Sequence, residues 1–195
     1  MTNIIIIRHG ETDWNKEGRL QGIENIPLNS TGKAQASMAG NFLREEKLGA
    51  IITSPLDRAQ ETATIIGQCL DEDEKIRVKK SFIERNHGDI SGLTIEEQKV
   101  KFPNDDYEVK ESWEVLCTRV KKGLEDVAES YPGENVVLVT HGLIIKSILE
   151  ITSEGGLNSE NLSLLNACIS NCSYNDSKWE INYYNKVSHL NRTLQ

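Results

Sequence analysis

Apolar residues along this chain fall into two kinds of run. Ile4-Ile5-Ile6-Ile7, Ala50-Ile51-Ile52-Thr53 and Val136-Val137-Leu138-Val139-Thr140 are short, rich in β-branched residues and free of polar alternation, the pattern of strands buried on both faces of a parallel sheet. Other stretches repeat apolar or small residues at helical spacing. Ser30-Thr31-Gly32 opens one whose stripe is Ala36, Ala39, Gly40, Phe42 and Leu43, and which ends near Gly49. Ser54-Pro55 starts a second, since proline suits a first helical turn. Trp113, Leu116, Cys117, Val120, Leu124, Val127, Ala128 and Tyr131 mark a third, core-facing helix stopped by Pro132-Gly133, and a fourth follows His141 through Ile148. Strand and helix alternate, which implies βαβ units and a parallel sheet.

The remaining segments are less regular. Ile76 to Ile83 alternates with lysines and predicts a strand ending at Glu84, with a turn through Asn86, His87 and Gly88. Thr94 and Glu97 have the spacing of a capping box for a short helix. Gly10 to Leu28 lacks clean periodicity and reads as a loop with short helical pieces. Cys168 to Tyr174 and Lys178 to Tyr184, joined by Asn175-Asp176-Ser177, predict an antiparallel hairpin at the sheet edge.

Composition narrows the function classes. At 195 residues without a long linker, the chain is expected to form one domain over 1–195. The formal net charge of -8 argues against a nucleic-acid or anionic membrane partner. The apolar run nearest the N-terminus is four residues long, too short for a signal peptide or a membrane span. Cys69, Cys117, Cys168 and Cys172 lack paired spacing and read as free thiols in a reducing cytoplasm, so the expected localisation is cytoplasmic.

The chemistry lies at the strand ends. Arg8-His9-Gly10 and His141-Gly142 follow two of the buried strands, and in open α/β sheets the ligand crevice lies outside those carboxyl ends. Two imidazoles delivered there can face one pocket. Arg8, Arg58 just after the Ser54-Pro55 turn, and Glu84 join them. Alone, Arg58 reads as a solvated partner of Asp57 or Glu61, Glu84 as a surface carboxylate, Asn15 as a turn residue and Gln21-Gly22 as a loop bend. Without a partner motif, His189 reads as structural and His87 as a rim residue. Only the joint pattern points to chemistry. Arginine forks match phosphate oxygens bidentately, so two of them suit a dianionic phosphoryl group, and amides at Gly10 and at the helix start after His141 offer further donors. A neutral imidazole can then attack in line, giving a phosphohistidine. Glu84 is placed to protonate the leaving alkoxide if its surroundings raise its pKa. Because the arginines neutralise charge, the site calls for no metal and no cofactor.

Arg8-His9-Gly10-Glu11-Thr12-Asp13-Trp14-Asn15 resembles the signature of the histidine phosphatase superfamily, which includes cofactor-dependent phosphoglycerate mutases and bacterial broad-specificity phosphatases. The likeness continues through Gln21-Gly22, Pro27-Leu28, Thr31-Gly32, the Thr53 to Ala63 segment, Glu84-Arg85-Asn86-His87-Gly88 and Val139-Thr140-His141-Gly142. It implies a three-layer α/β/α sandwich with a mostly parallel sheet. It also implies His9 as the phosphorylated nucleophile and Glu84 as proton donor. Arg8, Arg58, His141 and Asn15 would form the phosphate pocket, with Gln21 and Gly22 at the phosphoryl group or substrate and Gly142 beside them. Two departures bear on the branch. The basic insert of the mutases between the acid-donor motif and the second histidine is missing, and Ile95 stands at their lysine position, which weakens the expected grip on a second anionic group. Ser91 and Lys110-Glu111-Ser112 depart from the phosphatase pattern in turn. Length and the His141 to Lys146 segment favour a phosphatase acting on small-molecule phosphate monoesters. A phosphoglycerate mutase and a catalytically silent phospholigand-binding protein are the alternatives.

Overall fold

The computed structural model describes residues 1–157 and 161–191. Six strands form one sheet: β1 (Thr2–Arg8), β2 (Leu48–Thr53), β3 (Ile76–Val78), β4 (Asn135–Thr140), β5 (Ile169–Asn175) and β6 (Lys178–Lys186). Their order is β3-β2-β4-β1-β5-β6. β1, β2, β3 and β4 run parallel, with β4 between β1 and β2. β5 pairs antiparallel with β1, and β6 antiparallel with β5, so the expected hairpin closes one edge.

Helices cover both faces, and the isoleucine run at the start of the chain shows why. Alternate residues of a strand point to opposite faces. Ile4 and Ile6 pack with Leu116, Val120, Leu124 and Val127 of α5 (Trp113–Ser130) and with Ile144, Ile145, Ile148 and Leu149 of α6 (Gly142–Thr152). Ile5 and Ile7 pack with Ala39 of α2 (Ser30–Phe42), with Leu43 just beyond it, and with Ala59, Ala63 and Ile66 of α3 (Asp57–Leu70). An unbroken apolar strand therefore needs a helical layer on each side, and the result is a three-layer α/β/α sandwich. Two short helices, α1 (Asp13–Lys16) and α4 (Ile95–Lys101), stand over the carboxyl edge of the sheet, each opened by a reciprocal capping box, Thr12 with Asn15 and Thr94 with Glu97.

Several expected boundaries move. The strand expected over Ile76 to Ile83 stops at Val78, after which Lys80–Phe82 forms a 3-10 turn that drives Phe82 fully into the core against α5. Gly123 on α5 makes room for it, because a Cβ there would lie 2.5 Å from Ser81 Oγ. The helix from Ser30 ends at Phe42 rather than near Gly49, which belongs to β2, and Phe42 is 43% exposed instead of buried. Pro55 precedes the third helix, whose N-cap is Leu56. Among the described residues no helix is long and apolar enough to cross a membrane.

Candidate active site

Four chain segments converge at the carboxyl edge of the sheet. β1 ends at Arg8, and its ladder continues one residue further, with His9 N–H donating to the Thr140 carbonyl at 2.9 Å. β4 ends at Thr140, so His141 becomes the N-cap of α6. Arg58 is the second residue of α3, which follows β2, and Glu84 follows the 3-10 turn beyond β3. Arg8, His9, Asn15, Gln21, Gly22, Arg58, Glu84 and Gly142 line one cavity of about 510 Å³. His141 is fully buried behind it, with its ring centroid 5.3 Å from that of His9. His87 also lines the cavity, whereas His189 lies away from it against Phe42.

Hydrogen bonds fix the tautomers of both imidazoles. His9 Nδ1 lies 2.7 Å from the Gly10 carbonyl, which can only accept, so Nδ1 carries the proton and Nε2 holds the lone pair. His141 Nδ1 accepts from Arg58 Nε at 3.2 Å, which leaves Nε2–H to donate to Ser54 Oγ at 2.7 Å. Burial, reinforced by the positive charge of Arg58 and Arg8, holds His9 well below the ordinary histidine pKa; burial and Arg58 do the same to His141. Both rings are thus neutral at neutral pH.

The cations and the carboxylate are equally constrained. Arg58 is almost fully buried and donates through Nη1 to the Glu24 carbonyl at 2.6 Å and through Nη2 to the Gly22 carbonyl at 2.7 Å, tying the Gln21-Gly22 loop to the site. Burial lowers its pKa to about 10, which still leaves it charged at neutral pH. Arg8 donates through Nη1 to the Leu164 carbonyl, while its Nε is buried without a partner. A buried donor left unpaired is costly, and a phosphate oxygen would satisfy it. Glu84 accepts from Arg85 N–H at 2.8 Å and Leu143 N–H at 3.3 Å. Burial nonetheless raises its pKa, outweighing these bonds and the charges of Arg58 and Arg8. One expected donor is committed elsewhere: Gly10 N–H donates to Thr62 Oγ1 at 3.1 Å.

Sequence reasoning passed over several residues of the site. Asn166 Nδ2 donates to the His9 carbonyl at 3.2 Å and to Asn15 Oδ1 at 3.0 Å, so a distant loop clamps the first two site segments together. Glu111 and Arg119 brace the turn that carries Glu84. Arg119 forks Glu111 at 2.6 and 2.9 Å and donates to the carbonyls of Ser81 at 2.9 Å and Glu84 at 3.4 Å. Ser54 lies within the Thr53 to Ala63 segment, whose spacing does not point to His141 as its partner, and nothing local marks Asn166. Arg19, Arg85 and Lys146 add cationic side chains to the cavity wall, whereas Ile95 is 58% exposed and outside it.

An α/β sandwich that gathers neutral imidazoles, charged guanidinium groups and a buried carboxyl at one crevice has the layout of a protein that binds and transfers phosphoryl groups. The model of the histidine phosphatase superfamily, branch 1, matches residues 4–187, and the chain belongs to that superfamily. It is 40% identical over 190 residues to the uncharacterized phosphatase PhoE of Bacillus subtilis, covering 97% of each chain. It is 35% identical over 204 residues to a metal-independent phosphoserine phosphatase of Arabidopsis thaliana, covering 97% of this chain and 84% of the relative. A solved structure of a phosphoserine phosphatase mutant from Entamoeba histolytica, in complex with phosphoserine, superposes with a TM-score of 0.83. That pair shares 26% identity over 97% of this chain and 100% of the other. The chain is accordingly a phosphatase of this superfamily.

Proposed function

We propose that this phosphatase hydrolyses small-molecule phosphate monoesters by two displacements at His9, without a metal ion. The observation that carries the assignment is the His9 tautomer. With Nδ1–H held by the Gly10 carbonyl and protonation suppressed by burial and by the arginines, Nε2 offers a lone pair at the cavity wall at neutral pH.

In the first displacement Nε2 bonds to phosphorus as the bond to the ester oxygen breaks. Arg8 and Arg58 stabilise the equatorial oxygens, with the side chains of Asn15 and Gln21 and the wall at Gly22 and Gly142 completing the pocket. The departing oxygen takes its proton from Glu84, whose raised pKa keeps a population of the acid available. In the second displacement Glu84, now a carboxylate, removes a proton from water as the water oxygen attacks phosphorus. The N–P bond then breaks, releasing inorganic phosphate and restoring His9 and Glu84. His141 supports this chemistry by holding the buried Arg58 through its Nδ1. The arginines supply the charge neutralisation that a divalent ion would otherwise give, and the Arabidopsis relative is named as metal-independent.

The test is turnover of a chromogenic aryl phosphate in the presence of a chelator. The wild-type protein is expected to be active and unaffected by chelation, and His9→Ala to lose at least about 10³-fold in kcat. Chelator-sensitive turnover or an active His9→Ala protein would refute the assignment. Including 3-phosphoglycerate in the assay separates hydrolysis, which releases phosphate, from transfer, which converts the ester without releasing it.

A further inference from the structure

Asn166 sits where the nucleophile meets the phosphate-binding wall. Its Nδ2 lies 3.2 Å from the His9 carbonyl, 3.4 Å from the Gly10 carbonyl and 3.0 Å from Asn15 Oδ1. Carbonyls only accept, so this amide must face them with its NH2 group. Asn15 is oriented by the same logic: its Oδ1 receives Thr12 N–H at 3.2 Å, Thr12 Oγ1 at 3.1 Å and Asn166 Nδ2. Turning the Asn15 amide over would set its NH2 against the Thr12 N–H and the Asn166 NH2, two donors that cannot accept. The Asn15 oxygen is therefore committed, and Nδ2, which meets no acceptor among the described residues, is the group that Asn15 offers to the cavity. Thr12 caps the same short helix as Asn15 and fixes the amide only within that turn. Asn166 ties it to the His9 backbone from the far end of the chain. The loop that carries Asn166 is itself pinned on both sides. Asn185 accepts from Leu165 N–H at 3.1 Å and donates to the Ser163 carbonyl at 2.9 Å. Buried Ala167 is held at φ 53°, a left-handed conformation disfavoured for a residue with a Cβ, with its N–H on the His9 carbonyl at 3.2 Å.

We propose that Asn166 is a positioning residue for phosphoryl binding: anchored on the His9 and Gly10 carbonyls, it holds the Asn15 amide with Oδ1 inward and Nδ2 toward a phosphoryl oxygen. The inference rests on the reading of this cavity as the phosphoryl site. Asn166 does not line the cavity, so it acts through Asn15 and not on the substrate.

The experiment is a double-mutant cycle read as the Kd for inorganic phosphate, measured by calorimetry, beside turnover of the aryl phosphate. Asn15→Ala and Asn166→Ala are each expected to weaken phosphate binding by about 10- to 100-fold, the range of one hydrogen bond to a charged group. Because Asn166 acts through Asn15, the double variant is expected to lie within about 3-fold of Asn15→Ala and not at the product of the two losses. Losses that multiply, or wild-type phosphate affinity in Asn166→Ala, would overturn the inference and confine Asn166 to holding the loop. Asn166→Asp keeps the side-chain volume and turns the donor into an acceptor. It is expected to bind phosphate no better than Asn166→Ala, and wild-type affinity in this variant overturns the inference as well. Phosphate binding with the coupling intact, in a protein that turns nothing over, refutes the His9 mechanism and leaves the role of Asn166 standing. A wild-type protein that does not bind phosphate removes the phosphoryl site and the inference with it.

Discussion

Burial dominates the ionisable groups of the site and favours the neutral form of each, so histidine and glutamate shift in opposite directions. His9 and His141 are held below the ordinary histidine pKa and Glu84 is raised above the ordinary glutamate value. The proposed mechanism needs neutral His9 and protonated Glu84. In a pH profile of kcat/KM, activity is expected to fall on the acid side as His9 protonates and on the alkaline side as Glu84 ionises. Stability follows the same shifts by linkage. The histidine contribution is present above their ordinary pKa and is lost as pH falls below it toward the depressed native values. The Glu84 contribution is present below its ordinary pKa and is lost as pH rises through the raised one. Glu84→Gln is thus expected to raise Tm at neutral pH and to do so least in acid. The same variant is expected to lower kcat by about 10²- to 10⁴-fold on alkyl phosphates and by less on aryl phosphates, whose leaving groups need little protonation. A Tm gain independent of pH, or equal losses on both ester classes, would contradict the role of Glu84. Arg8→Ala is expected to lower kcat by about 10²- to 10³-fold by removing transition-state charge stabilisation.

At the scale of elements, the site depends on close crossings that tolerate no added volume. The loop after His9 passes over the start of α2 so tightly that a Cβ on Gly10 would lie 2.3 Å from the Gly32 carbonyl oxygen, and one on Gly32 would lie 2.1 Å from that of Glu11. Both obstacles are backbone, so Gly32→Ala is expected to destabilise the fold by about 1–3 kcal/mol, measured as a lower denaturant midpoint with unchanged slope. On the other side, Glu111 and Arg119 hold the turn carrying Glu84 from outside the cavity. Arg119→Leu removes that brace and leaves the Glu111 carboxylate unmatched, an expected cost of about 1–3 kcal/mol. Because the pair acts through Glu84, kcat is expected to fall with KM little changed and the alkaline limb of the pH profile to move. A variant that is less stable but keeps the wild-type profile would limit the pair to holding the fold together.

Across the whole molecule, what the sequence made legible divides along physical lines. Strands buried on both faces need unbroken apolar runs, so β1, β2 and β4 stood out, and with them Arg8, His9 and His141 at their ends. β3 did not. Its lysine-apolar alternation suggested a long half-buried strand, but only Ile76–Val78 pairs with β2 before the chain turns inward to bury Phe82, a contact with α5 that no local pattern records. The same limit hid Asn166, which reaches His9 from 157 positions away, and the Glu111–Arg119 brace. Residue types and strand-end positions suggest the chemistry proposed for the site, while the residues that hold those groups in place act through long-range contacts that spacing cannot encode. Charge distribution is another whole-molecule property: an acidic body surrounds a cationic cavity. Screening shortens the Debye length from about 10 Å at 0.1 M to about 3 Å at 1 M salt, so KM for a phosphate ester is expected to rise with ionic strength. A KM indifferent to salt would mean that the cavity charge has no part in substrate capture.

A covalent bond between His9 and the phosphoryl group is detectable by rapid mixing with a slow ester, followed by alkaline quench and intact mass measurement. During turnover the protein is expected to gain the mass of one phosphoryl group, located on His9 by peptide mapping and absent from His9→Ala. Steady turnover with no such adduct, or an adduct on any other residue, would contradict it.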